Sequence, residues 1–166
     1  MADPVSRRNF LRGRFAKRPV ALRPPWAVAE AAFLIACTGC GDCRTACPTR
    51  IIGQGDGGFP ALDFSLGECT FCAACASVCT TGALQRTPGQ PPWCLRATIG
   101  ERCLARQQIE CRICGDLCGA EAIRFLPQLG GISLAVVCVA QCTGCGACVA
   151  SCPAAAIDLG QSPDAA

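Results

Sequence analysis

Eighteen cysteines set at repeating short intervals constrain this 166-residue chain more than any other feature. They fall as Cys37-x2-Cys40-x2-Cys43-x3-Cys47, Cys69-x2-Cys72-x2-Cys75-x3-Cys79, Cys103-x7-Cys111-x2-Cys114-x3-Cys118 and Cys142-x2-Cys145-x2-Cys148-x3-Cys152, with Cys94 and Cys138 left over. The other apolar residues are rich in alanine, with seven Phe, two Trp and no Tyr, so side-chain packing alone offers a thin core. Small chains of this kind are held by disulfides or by metal. Histidine is absent, which excludes His-containing zinc sites, imidazole general bases and Cys-His nucleophile pairs. Thiolate chemistry remains.

The choice between disulfide and metal depends on compartment. Ser6-Arg7-Arg8-Asn9-Phe10-Leu11 reads like the start of a twin-arginine export signal, which requires an unbroken apolar stretch next. Here Arg12, Arg14, Lys17, Arg18 and Arg23 follow, and the apolar run Ala27 to Ala36 carries Glu30. Ile132 to Ala140 is too short for the roughly 20 residues that span a bilayer. The expectation is an uncleaved cytoplasmic protein with no membrane span. In a reducing cytosol such cysteines bind metal rather than pair.

The first, second and fourth groups fit the bacterial ferredoxin run for a [4Fe-4S] cluster, and the third keeps its last three positions while stretching the first interval. Zinc ribbons also use CxxC pairs, but they separate two such knuckles by a longer loop and need no third cysteine. Two-residue gaps let three thiolates turn inward around one cubane. The distal cysteine, expected to begin a short helix leading away, ligates the neighbouring cluster. Four sets follow: Cys37, Cys40, Cys43 and Cys79; Cys69, Cys72, Cys75 and Cys47; Cys103, Cys111, Cys114 and Cys152; and Cys142, Cys145, Cys148 and Cys118. They predict four [4Fe-4S] clusters. Cys94 and Cys138 read as buried apolar thiols, with Cys94 an alternative to Cys103 as the irregular ligand. The long Cys103 to Cys111 loop marks the third site as the candidate for greater solvent access and lability. Gly39, Gly41, Gly144 and Gly146 are expected to free backbone N–H groups for the cluster sulfurs.

The repeat extends beyond cysteine. Ile51-Ile52, Ala83-Leu84, Ala122-Ile123 and Ala156-Ile157 each follow a distal cysteine at the same interval. Between paired motifs, Ile51 to Leu62 and Ile123 to Leu134 place a glycine pair between two β-prone runs, which predicts two hairpins. Apolar strands at Ala31 to Ala36 and Ala97 to Ile99 are expected to precede the halves. The predicted fold class is α+β, two tandem bacterial-type 2[4Fe-4S] ferredoxin-like units: a basic N-terminal arm over 1–28, one unit over 29–90 and a second over 91–166, joined near Thr87 to Pro92.

Charge is segregated, about +6 across residues 1–25 and −3 across the remainder. Four oxidised clusters at about −2 each make the loaded body strongly acidic against a basic tail, once the charge of the metal centres is counted. Phe10, Leu11, Phe15 and Arg23-Pro24-Pro25-Trp26 intersperse that tail with apolar anchors, which suits docking to a partner, although a solvated arm has the same charge. No basic face continues into the body, which argues against nucleic acid.

Ser6-Arg7-Arg8-x-Phe10-Leu11-x-Gly13-Arg14, Arg23-Pro24-Pro25-Trp26, the four motifs with an irregular third, Thr98-Ile99-Gly100-x-x-Cys103-Leu104-Ala105 and Glu110-Cys111-Arg112 together resemble the NapF family. These are ferredoxin-type accessory proteins of the periplasmic nitrate reductase system. The resemblance covers almost the whole chain. It implies four [4Fe-4S] clusters on the sixteen motif cysteines, a cytoplasmic location, and a partner in the molybdenum-containing catalytic subunit NapA, met before export. Thr80 and Gly119 stand where Pro is common after the distal cysteine. Two functions are expected from this: an accessory factor that binds NapA precursor and assists maturation or supplies electrons, or a general electron-transfer ferredoxin or wire subunit. No constellation for small-molecule catalysis remains once the cysteines are assigned, so the chain reads as a non-enzyme.

Overall fold

Two antiparallel hairpins frame the described chain, which is residues 21–162 of a computed structural model. Strand β1 (Ile52–Gln54) pairs with β2 (Pro60–Leu62). Strand β4 (Ile123–Leu126) pairs with β5 (Leu134–Val137). Both lie where a glycine pair separates β-prone runs. Gly57 and Gly58 take positive φ in the first turn, and Gly130 and Gly131 do so in the second. The arginine-rich start of the chain and its twin-arginine motif lie outside the described residues.

Five α-helices accompany the strands among the described residues: α1 (Glu30–Ala36), α2 (Asp42–Thr45), α3 (Ala74–Ser77), α4 (Ile113–Asp116) and α5 (Ala147–Ala150). The first corrects a sequence expectation, because Ala31 to Ala36 forms helix rather than strand. Alanine, leucine and glutamate favour helix, and the apolar run buries only one face: Phe33 is fully buried while Ile35 is 87% exposed. A second correction concerns the distal cysteines. Each short helix ends before its distal cysteine, whose N–H closes the turn: Cys47 onto the Arg44 carbonyl, Cys79 onto Ala76, Cys118 onto Gly115 and Cys152 onto Val149.

The segments that open and close the second half form β3 (Leu95–Ile99) and β6 (Ile157–Gln161), paired antiparallel from Leu95 with Gln161 to Ile99 with Ile157. Ala97 to Ile99 is thus strand, as its composition predicts. The corresponding pairing in the first half shrinks to one bridge, Ala27 with Leu84. Pro24 and Pro25 bring no N–H to a ladder, and Trp26 sits at φ 59°, outside the strand region.

Residues 22–28, which composition grouped with the basic arm, pack into the first half. Pro24 and Trp26 are buried, and the Leu62 N–H donates to the Leu22 carbonyl at 2.8 Å. Arg23 clamps this segment. Its guanidinium donates to both Glu30 carboxylate oxygens at 3.0 and 2.7 Å and to the Pro60 carbonyl at 3.1 Å, and it lies 4.8 Å from the Phe33 ring centroid.

Two cores result. The larger joins Trp26, Phe33, Ile51, Phe64 and Leu84 and reaches Leu95 in the second half. The smaller is built on Ala97, Ile123, Ala135 and Ile157 with Cys114 and Cys148.

Candidate metal centres

Sixteen of the eighteen cysteines gather around four cavities. One is lined by Cys37, Cys40, Cys43 and Cys79, and the next by Cys47, Cys69, Cys72 and Cys75. In the second half, Cys118, Cys142, Cys145 and Cys148 line a third, and Cys103, Cys111, Cys114 and Cys152 line a fourth. The four are alike in size, which suits one kind of occupant. Their remaining walls are mainly apolar: Phe33, Pro60 and Leu84 in the first, Ile51, Ile52 and Leu62 in the second. Every motif therefore sends its distal thiol to its neighbour's cavity. Among the described residues, no three Cys, Asp or Glu side chains close tightly enough to hold a single ion.

The third cysteine of each group sits on a short helix and is buried: Cys43, Cys75, Cys114 and Cys148. Burial, reinforced by neighbouring thiolates, pushes the Cys75 and Cys148 thiols up to about 12 and Cys114 to about 11. Burial also raises Cys43 and takes Cys69 to about 11. Such thiols become thiolates only beside concentrated positive charge, which iron supplies.

The distal thiols have a different environment. Burial alone raises Cys47 and Cys79, but hydrogen bonds outweigh it and hold both below the ordinary thiol value. For Cys47 the donors are the Thr49 hydroxyl and the backbone N–H groups of Ile51, Thr49 and Ile52. For Cys79 the Leu84 N–H, 3.4 Å from Sγ, is joined by Thr81 and Ala83. In the second half, the Ala122 N–H donates to Cys118 Sγ and the Ala156 N–H to Cys152 Sγ, both at 3.3 Å.

One backbone device serves all four. The residue three positions after each distal cysteine has positive φ: Arg50 at 56°, Gly82 at 76°, Glu121 at 49° and Ala155 at 44°. That left-handed step aims the following N–H groups back at sulfur and stops the helix expected there. It also buries Ile51, Ala83, Ala122 and Ala156. Sequence reasoning noticed these buried positions but missed the turn, because three of the four left-handed residues are not glycine.

The ligand-bearing loops carry left-handed residues too. Gly39 and Gly41 in the first and Gly144 and Gly146 in the fourth have positive φ, and Phe71 and Ala73 take the same two positions in the second. The third loop departs from this pattern. Its extra residues form a compact turn in which the Ile109 N–H returns to the Leu104 carbonyl at 2.9 Å and Ala105 is fully buried. Leu104 and Ile113 wall its cavity. The expected solvent opening is therefore not observed: Cys103 and Cys111 are half-buried, whereas Cys40 and Cys72 are exposed. Cys103, not Cys94, joins the third group. Cys94 and Cys138 are half-buried rather than fully buried, and Cys94 borders a separate groove beside residues 22–30.

Comparison with known proteins gives the same emphasis. Residues 36–83 match the 4Fe-4S dicluster domain and residues 139–158 the 4Fe-4S binding domain. The chain is 45% identical over 157 residues to the ferredoxin-type protein NapF of Escherichia coli K12, covering 95% of each. The chain belongs to the NapF family. The NapF of Haemophilus influenzae is 43% identical, over 95% of this chain and 94% of its own length. The methylamine utilization ferredoxin-type protein MauM of Paracoccus denitrificans is 35% identical over 80% of this chain and 66% of its own. The chain is thus a NapF-family iron-sulfur protein with ferredoxin-type domains, and these relatives are ferredoxin-type proteins rather than enzymes. No described helix is long and apolar enough to cross a membrane.

Proposed function

We propose that the chain holds four [4Fe-4S] clusters in two tandem bacterial-type ferredoxin units, roughly 22–90 and 91–166, with a basic arm ahead of them. The observation that carries this reading is the set of four similar cavities, each lined by four cysteine thiols drawn from two motifs. The residues suit the cluster chemically: three thiols on a tight loop, a fourth crossing from the neighbour, apolar walls and N–H groups aimed at sulfur.

A bound cluster accepts and releases one electron without gain or loss of a bond. The protein's part is to hold that charge change with little rearrangement. Buried helix-borne cysteines anchor the occupant, and the N–H groups of Leu84, Ala122 and Ala156 stabilise negative charge on the distal sulfurs. Hydrogen bonding to sulfur and the dryness of the walls tune the potential.

On the strength of the NapF relationship, the chain is a cytoplasmic accessory protein that binds the precursor of the periplasmic nitrate reductase catalytic subunit, NapA, and assists its maturation or supplies its electrons. The test is anaerobic purification with iron, sulfide and zinc analysis, followed by capture of NapA precursor with and without residues 1–20. Near sixteen iron and sixteen sulfide with specific capture supports the reading. The same clusters without capture assign the chain to general electron transfer, and zinc in place of iron overturns both.

A further inference from the structure

The two halves meet through their ligand loops. The Cys69 N–H donates to the Cys145 carbonyl at 2.7 Å, a direct backbone hydrogen bond between the second and fourth cysteine groups. Around it, the Trp93 indole N–H donates to the Thr143 carbonyl at 2.9 Å, and its ring meets Phe64 and Phe71 edge-on at centroid distances of 5.9 and 5.6 Å. Phe71 lies between Cys69 and Cys72, so this aromatic cluster rests on one ligand loop and clasps the other.

Glycine makes the approach possible. A Cβ on Gly146 would collide with the Phe64 ring, and one on Gly144 would crowd Leu95 and Trp93. Both glycines also have positive φ. Their role at this seam, bringing one ligand loop against the other half, was not visible in the sequence.

Within each half the ligand-bearing helices pack together: α2 with Cys43 lies against α3 with Cys75, and α4 with Cys114 lies against α5 with Cys148. With the Cys69–Cys145 contact joining the second and fourth groups, the groups have a spatial order that differs from their order in the chain.

We propose that the Cys69–Cys145 seam, packed by Phe64, Trp93, Gly144 and Gly146, is the electron bridge between the halves. The Cys47/69/72/75 and Cys118/142/145/148 sites are the inner pair, and the Cys37/40/43/79 and Cys103/111/114/152 sites are the two ends. The inference rests on the four-cluster reading above. The exchange across the seam is a one-electron self-balanced step: the reduced inner site loses one electron, the oxidised inner site opposite gains it, and no proton or covalent bond moves. The irregular third motif thereby becomes a terminal port rather than an intermediate, despite lying between the second and fourth motifs in sequence.

The full chain tests this, purified anaerobically in two depleted forms. Cys40→Ser and Cys43→Ser with Cys111→Ser and Cys114→Ser leaves the inner pair. Cys72→Ser and Cys75→Ser with Cys145→Ser and Cys148→Ser leaves the outer pair. Reduced clusters are paramagnetic, so neighbours split each other's electron paramagnetic resonance lines. The inner-pair form is expected to give a split spectrum when fully reduced, and the outer-pair form two unsplit signals. Unsplit lines from the inner pair, or splitting in the outer pair, overturn the proposal. If a depleted form fails to load, Trp93→Ala in the otherwise unaltered chain decides: at equal iron content, the microwave power for half-saturation falls if the seam couples the halves, and an unchanged value overturns the proposal. Wild-type iron far below sixteen per chain defeats the four-cluster reading separately, while the inner-pair spectrum still decides the seam.

Discussion

The first and second halves repeat one plan with different means of support. The second half closes with the β3–β6 ladder over a core of small and branched residues. The first half keeps one bridge of that ladder and relies instead on Trp26, Phe33, Phe64 and the Arg23 clamp. Their distal thiols differ as well. Thr49 Oγ1 lies 3.5 Å from Cys47 Sγ and Thr81 Oγ1 3.6 Å from Cys79 Sγ, where the second half has Ala120 and Ala154. The same thiol cavity can thus be walled by a sheet or by aromatic packing, and its sulfur charge can be answered by backbone alone or by backbone and hydroxyl.

Loss of metal is expected to separate the halves most strongly. Anaerobic iron chelation should abolish amide protection throughout β3–β6 and β4–β5, while Phe33, Ile51 and Leu84 retain residual protection from their larger core. Equal loss in both halves, followed by hydrogen exchange, would remove the distinction. Phe33→Ala in the loaded protein should cost about 3–5 kcal/mol and Ile157→Ala about 2–4 kcal/mol. Denaturation monitored at cluster absorbance checks whether the first effect exceeds the second.

The Arg23–Glu30 pair offers a smaller test confined to the first half. The Arg23 hydrogen bond holds the Glu30 carboxyl below its ordinary 4.5 against the opposing effect of burial. Its contribution is whole above that value and fades as pH falls through the lowered one. Glu30 is 45% exposed, so solvent screening limits the expected cost of Glu30→Gln to about 0.5–1 kcal/mol at neutral pH. The difference from wild type should narrow with acidification, as read from paired unfolding curves.

Thr49→Val and Thr81→Val should each lower the potential of the adjoining site by a few tens of millivolts, the scale of a modest hydrogen-bond energy in a one-electron couple. Potentiometric titration should show no such shift for Ala120→Val or Ala154→Val, which remove no hydroxyl. The smallest effect is expected from Ala73→Gly. Its φ of 62° costs a residue with Cβ about 1–2 kcal/mol, partly offset by glycine's larger unfolded-state entropy, about 0.5–1 kcal/mol. A net gain of roughly 0.5 kcal/mol should appear as a small rise in denaturation midpoint.

The cysteine intervals make the grouping of thiols legible, because a three-residue step carries the distal thiol past its own loop. The hairpins are legible because glycine pairs interrupt β-prone runs. Ala31 to Ala36 is ambiguous by pattern: an apolar run this short fits either element, and only the burial of Phe33 alone distinguishes them. The turns after the distal cysteines are hidden because Arg50, Glu121 and Ala155 adopt a conformation that their identities do not advertise. The seam is hidden for another reason: Phe64 and Gly146 are distant in sequence, and neither belongs to a recognisable pair.

Interleaving also imposes an order of completion as the chain is synthesised. The Cys47/69/72/75 cavity has all its thiols once Cys75 has emerged, but the Cys37/40/43/79 cavity must wait for Cys79. Likewise the Cys118/142/145/148 cavity precedes the one finished by Cys152. In each half the cavity nearest the seam is complete before its outer companion. A nascent chain that has emerged past Cys148 but not as far as Cys152 would therefore present three complete thiol sets and one still waiting for its last member.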